Sequence, residues 1–425
     1  MESIRSKLAA GDIKTTKHAR KLEIYSGWTD FELAISKDNR PEKTWAAAVV
    51  HESSAYMHKL GLMGDRRKEL LHLIQSGAPV TRVSHQPNLF ASLNILGLNH
   101  LAGDIADATK SVAVFVSIDY DEAGDQRFRS TILPPTSGST PQYLSRAVPK
   151  DQRRAIACSI EKPSIQSLRY LLDTQKHSVK YWRRQLGLPP VRQSLLDTSL
   201  FEPYLANASS LAEFNLALIA HFTKEVFNKD IVVVQASKLL PHLNEQVNKL
   251  AGKLIAFEPT CANKLVWHIC NKCYQRLPTK LKSEDGSILV EWNCTRCRLA
   301  ATGPLDWTAT INSAVEPVPA FVPRITLCDA IDFQLARSCG SISYAGGIRH
   351  ILNSRILAQK AALKLGPEFI WDPDCLQFVN DNEKSGKNWA MGKFSAFMLA
   401  DLFGSERLRR EIDRNISTQG SDKPL

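Results

Sequence analysis

The chain is 425 residues long, 44% hydrophobic and 23% charged, with a formal net charge of +11 and a pI near 9.2. That length supports at least one large core and two or three domains, and no apolar run approaches the roughly 18 residues that argue for a membrane-spanning helix. The basic balance favours anionic partners, such as nucleotide phosphates, acidic metabolites or RNA, without choosing among them.

The first segment, MESIRSKLAAGDIKTTKHARK, is charged and lacks the apolar core of a secretion signal. Nine cysteines, an odd number with four of them in CxxC pairs, fit a reducing cytoplasm better than a disulfide framework. Residues 1–78 read as an N-terminal helical region. Within it, Thr44 to Met63 carries His51 and His58, seven residues apart and so on one helical face. Such a pair reads as surface or packing residues rather than ligands.

A βαβ unit comes next. Val80 to Val83 forms a short strand, Ser84-His85-Gln86-Pro87-Asn88 a polar turn, and Leu89, Leu93, Leu96 and Leu101 fall near one face of a helix. The apolar run Val112 to Ile118 then ends in Asp119-Tyr120-Asp121-Glu122. Continuous β-branched runs around an amphipathic helix mark parallel, buried strands, and ligands bind beyond the carboxyl ends of such strands. Ser84, His85 and Asn88 sit at one such end, and Asp119, Asp121 and Glu122 at the next.

Pro134 to Pro141 is rich in turn formers and reads as a loop over the sheet edge. Residues 161–228 return to helical period, with a stop at Gly187-Leu-Pro-Pro190. Asp230 to Gln235 is a third buried strand, followed by a helix from about Pro241 to Phe257. This first part of the core spans 79–260.

Cys270-Asn-Lys-Cys273 and Cys294-Thr-Arg-Cys297, separated by twenty residues, then supply four thiolates that can close tetrahedrally on zinc. Lys280 to Trp292 between them has hairpin character, with its turn at Glu284-Asp-Gly286. A closed four-cysteine site has no open coordination position, so its role is structural. This zinc ribbon, 261–302, is decorated by Lys272, Arg276, Lys280, Lys282, Arg296 and Arg298, which read as a solvated surface or as a nucleic-acid face.

The core resumes over 303–410. Cys339 to His350 contains Tyr344-Ala-Gly346-Gly347 ahead of a helix, a turn whose backbone N–H groups can approach an anion, with Arg349 just inside. Asn382 to Lys387 is a Lys/Ser/Gly loop that can grip phosphates through Lys384 and Lys387 but lacks P-loop spacing. Residues 411–425 read as a polar tail that frays.

Three of these segments, SHQPNLF (84–90), SIDYDEAGDQ (117–126) and PRITLCDAIDFQLARSCGSISYAGGIRHI (323–351), resemble the bacillithiol biosynthesis cysteine-adding enzymes. The resemblance covers about 80–400 in outline. In that family a GQQPG-like turn, a D-H-D-like acidic segment and a Y-V-G-G-P segment occur in the same order. This chain departs from it with Asn88 in place of the turn glycine, Tyr120 between the acids and Ile348 in place of proline. The four-cysteine ribbon is a further addition.

The resemblance implies an α/β fold with a Rossmann-like parallel sheet core and helical surround, of the class shared with nucleotidylyl transferases and class I aminoacyl-tRNA synthetases. It also implies an ATP-dependent ligase joining an amino acid to an amine-bearing small molecule or peptide. In that reading His85 stabilises phosphate charge from a helix N-terminus, and Asn88 holds a ribose or phosphate oxygen. Asp119 and Asp121 anchor the substrate ammonium or bind Mg²⁺. Gly346 and Gly347 meet adenosine, and Lys384 or Lys387 the triphosphate. Ser84, Gln86, Tyr120, Glu122, Tyr344 and Arg349 complete the binding surface. Two rivals stand beside it: a synthetase-like enzyme that uses tRNA, and a non-enzymatic zinc-ribbon protein that binds nucleic acid. The oligomeric state is left open by the sequence, with a homodimer compatible.

Overall fold

In the computed structural model, residues 22–36, 38–134, 142–145, 148–284, 287–344, 348–372, 377–379 and 388–419 are described. Six strands form the central sheet: β1 (Ile24–Tyr25), β2 (Val80–His85), β3 (Val112–Ser117), β4 (Val232–Gln235), β5 (Gly340–Tyr344) and β6 (Glu368–Trp371). They line up as β1–β6–β5–β2–β3–β4, and every neighbouring pair is parallel. β3 is buried along its whole length, which explains why its sequence is a continuous apolar run rather than an alternating one.

The strand order contains one reversal. From β2 the chain steps to β3 and β4 on one side, crosses back to β5, and then steps to β6 on the other side. Right-handed crossovers running in opposite directions put the connecting helices Leu93–Thr109 and Ile348–Lys360 on opposite faces of the sheet. The connections leaving β2 and β5 therefore diverge, the arrangement in which open α/β sheets place a ligand crevice beyond the carboxyl ends of the strands. Ser84 and His85 end β2 there, and Tyr344 ends β5.

Two boundaries differ from the sequence expectation. His85 belongs to the strand, paired in register with Ser117. The following helix begins at Leu93 with Ser92 as its N-cap residue, so residues 86–92 form a longer turn and His85 is not at a helix N-terminus. Phe90 (φ 52°) and Ala91 (φ 22°) in that turn both occupy positive φ, which costs non-glycine residues about 1–3 kcal/mol each. The strain is held from two sides. The Phe90 ring is fully buried against Phe201 and Phe397. Asn215, buried in helix Leu211–Phe227, donates to the carbonyls of Pro87 at 2.9 Å and Phe128 at 3.1 Å.

Helix Lys43–Lys59, through Trp45 and Val49, shares one continuous apolar cluster with the sheet and with Phe397 and Ile412 far along the chain. The expected fraying tail is corrected as far as residue 419. Helix Ser405–Thr418 buries Leu408, Ile412 and Ile416, whose spacing of four makes an apolar stripe. The Gln419 side chain then donates to the carbonyl of Ile370 at 2.6 Å.

The four-cysteine segment is an antiparallel sheet in which Val266–Ile269, Arg276–Glu284, Ser287–Cys294 and Leu299–Pro304 follow one another, with Phe321–Pro323 on the far edge. The hairpin register pairs Glu284 with Ser287, in line with the expected turn; Asp285 and Gly286 lie outside the described residues. The ribbon is docked on the core, because Ile156 N–H donates to the Tyr274 carbonyl at 3.0 Å and Ala155 bridges to Gln275.

Candidate functional site

The crevice beyond β2, β3 and β5 has a floor, a turn and a wall. The floor begins at Asp119. Its carboxylate is fully buried and accepts from the Ser237 N–H at 3.0 Å, from the Ser237 hydroxyl and from Gln235 Nε2 at 3.1 Å. Burial pushes its acidity toward the neutral form, against those hydrogen bonds. Both oxygens are thus engaged in tying β3 to the end of β4. An Mg²⁺ or ammonium role for Asp119, as expected from the sequence, would have to share the carboxylate with Ser237 and Gln235. Tyr120 is also buried, its hydroxyl 3.1 Å from Cys328 Sγ, and is a packing residue rather than part of the binding surface.

The turn contributes His85, Gln86 and Asn88. The Gln86 carbonyl accepts from His85 Nδ1 at 3.0 Å; since a carbonyl only accepts, Nδ1 carries the proton and the ring is oriented by that bond. Ser84, half-buried, accepts from Arg82 at 2.6 Å. Gln86 donates through Nε2 to Asp121.

The wall comes from the ribbon. Arg276, first residue of the strand after the first CxxC pair, bonds Asp121 Oδ1, and the Asp121 carbonyl accepts from Ala157 N–H at 2.8 Å. Asp121 is therefore held between Gln86 and Arg276. Arg276 and Arg324 both lie over the Trp267 ring, 5.5 Å and 3.9 Å from its centre, making this wall cationic. Three buried polar atoms around this arrangement, Gln86 Oε1, Asn88 Oδ1 and Arg276 Nε, have no hydrogen-bond partner among the described residues. Atoms of this kind also occur elsewhere among the described residues, Asn94 Oδ1, Ser117 Oγ and Glu316 Oε1 for example, and their bonding is completed by water or by a ligand.

A charged layer that the sequence reading did not select lies behind Ser84. Arg82 of β2 pairs with Asp332, and Arg355 pairs with Glu368 through Nε at 3.0 Å, all of them buried. Burial raises Asp332 to about 6 even against the neighbouring Arg82, and raises Asp329 to about 8 with Glu368 adding to the effect. Burial also acts on Glu368, but Arg355 and Arg82 outweigh it and hold the carboxyl below its usual range. Asp332–Ala336 is a π-helical turn, a widened helix often found at functional sites. The one signal available beforehand was an arginine between Thr81 and Val83 in the strand.

Glu122 sits at the rim, bridged to Ile156, and Tyr344 ends β5, half-buried. Helix Ile348–Lys360 starts where expected and includes Arg349, whose side chain is outside what is described; Gly346, Gly347, Lys384 and Lys387 are likewise outside the described residues.

Sulfurs of Cys270, Cys273, Cys294 and Cys297 all lie within 4.8 Å of one another, close enough to hold one metal ion. The two halves match: Tyr274 (φ 56°) and Arg298 (φ 52°), each directly after a CxxC pair, take the same left-handed conformation. Cys297 N–H donates to Cys294 Sγ at 3.4 Å, so the donor set is a closed pair of knuckles. Among the described residues no helix is long and apolar enough to cross a membrane. No family model matches the chain, and no curated protein matches it either.

Proposed function

We propose that the chain is an ATP-dependent ligase that joins an amino acid to an amine-bearing small molecule or peptide, with a Rossmann-like core and a structural zinc ion in the ribbon. The observation that carries this reading is the set of unpartnered buried atoms, Gln86 Oε1, Asn88 Oδ1 and Arg276 Nε, beside the point where the strand order reverses. The strained turn after β2 adds support, since backbone strain at that location is characteristic of ligand-holding loops. So does the resemblance of residues 84–90, 117–126 and 323–351 to the cysteine-adding enzymes.

In this reading Arg276 and His85 face the developing negative charge on phosphate, and Gln86 and Asn88 offer acceptors to ribose hydroxyls or an ammonium group. Asp121 holds Gln86 and Arg276 in place and does not itself bind metal. Magnesium enters only with the nucleotide, because neither Asp119 nor Asp121 offers a disengaged carboxylate. The zinc ion, held by Cys270, Cys273, Cys294 and Cys297, keeps the ribbon wall folded. The test is release of phosphate or pyrophosphate from ATP in the presence of single amino acids and amine acceptors. Amino-acid-dependent release by wild type that is lost in Arg276→Ala supports the reading; no release across the panel by zinc-loaded protein counts against it.

A further inference from the structure

A second anion site lies on the other side of the ribbon wall. Lys150, Arg153 and Arg154, on the exposed stretch 149–154, face Arg296 of the second knuckle across an open cleft of about 500 Å³, with Gln275 between them. Arg296 donates to the Asp151 carbonyl at 2.8 Å, tying the ribbon to the segment and fixing the cleft's width. The segment is held from its other side, where Gly124 N–H donates to the Arg153 carbonyl. Among the described residues none of the four cations has a carboxylate within ion-pairing distance. The acid in the lining is Asp151.

We infer that this cleft docks the phosphate backbone of RNA. Several exposed cations ranged along an open groove suit a string of phosphodiesters, each neutralised singly, better than one enclosed mononucleotide. The two sites share a wall: Gln275 lines the cleft, and the adjacent Arg276 bonds Asp121 in the crevice. The choice of RNA over DNA rests not on the small-molecule ligase but on its tRNA-using rival, in which an RNA terminus carries the vicinal hydroxyls that hold an aminoacyl ester. The cleft itself does not depend on that reading.

The experiment uses the zinc-loaded full chain and fluorescence anisotropy over a salt series. Its probes are fluorescein-labelled deacylated tRNA, an oligouridine and a matching oligodeoxythymidine. Proteins compared are wild type, Arg153→Glu/Arg154→Glu, Arg296→Gln, and a control reversal Lys176→Glu/Lys180→Glu on helix Ile165–Gln185, outside the cleft lining. Expected are a loss of RNA affinity of about tenfold or more in the cleft double variant and a salt slope shallower by about one to two. Arg296→Gln weakens RNA binding less, and the control variant stays close to wild type. Equal weakening in the control variant, or undiminished binding in the cleft variants, overturns the cleft; equal affinity for DNA overturns the assignment to RNA. ATP binding by the cleft variants, measured in parallel, separates a failure here from a failure of the ligase reading.

Discussion

Arg276, a residue of the four-cysteine ribbon, bonds through its guanidinium to Oδ1 of Asp121, which follows the third strand of the parallel sheet. The pair lies 155 residues apart in sequence and makes the ribbon part of the crevice rather than an appendage. Both side chains are mostly shielded, at 21% and 18% exposure, so removing one partner strands the other in a poorly solvated place. Arg276→Ala and Asp121→Asn are each expected to lower stability by about 1–2 kcal/mol, discounted from fully buried pairs for remaining solvent access. A double-mutant cycle by urea denaturation should give a coupling energy of about 1 kcal/mol or more. Strict additivity would mean that the two groups do not act together.

Metal removal should loosen the crevice through the same link. Mass spectrometry of the purified chain is expected to show one zinc ion. Chelation, or Cys273→Ser, should then raise hydrogen exchange in the strands Arg276–Glu284 and Ser287–Cys294, and also in segment 148–157 and at Asp121. Exchange that rises in the strands alone would separate the ribbon's folding from the crevice.

Much of this was legible beforehand where the signal is local. Short runs rich in β-branched residues announced β2, β3 and β4, and CxxC spacing announced the metal-binding knuckles. What was hidden depends on pairs distant in sequence. Nothing near Asp119 reveals that Ser237 and Gln235 will consume its carboxylate, since that follows from β3 and β4 lying side by side. Arg82 and Asp332, 250 residues apart, have no shared periodicity to betray them. The turn after β2 was misread as helix because Leu89 keeps helical spacing with Leu93. Its two positive-φ residues carry ordinary side chains, Phe90 and Ala91, where glycine would have been the warning.

Packing makes a sharp demand at Gly97. A Cβ there would come within 2.2 Å of the Trp371 ring, which is fully buried and donates through its indole N–H to Asn415 at 2.8 Å. The better helix propensity of alanine recovers at most about 1 kcal/mol. Overpacking costs about 1–3 kcal/mol, and more where the ring must move. Gly97→Ala should therefore destabilise the protein by about 1–2 kcal/mol in denaturant melts, with a change in tryptophan fluorescence. A variant as stable as wild type would show that Trp371 has room to shift.

The carboxyls of Asp329 and Asp332 behind Ser84 give a pH dependence with a definite sign. Asp329 lies near 8 in the folded protein against 3.8 for the free side chain, so between those values the folded state holds a proton that the unfolded state has released. Its stabilising contribution is complete below about pH 4 and is lost as the pH rises through about 8. Asp332, near 6, adds a loss over the lower part of that window. Thermal melts from pH 5 to about 8 should thus fall more steeply for wild type than for Asp329→Asn, which has no proton to lose. Parallel curves would show that Asp329 titrates normally.

The central claim, a nucleotide-binding crevice built on the turn after β2, is tested most directly by calorimetric titration of ATP, with and without Mg²⁺, into zinc-loaded wild type and His85→Ala. His85 ends a strand with its ring half-buried, so the substitution should leave the fold intact. The expected result is micromolar binding to wild type, weakened about tenfold or more in the variant at unchanged thermal stability. Absence of ATP binding by folded, zinc-loaded wild type, or equal binding by both proteins, would contradict the account.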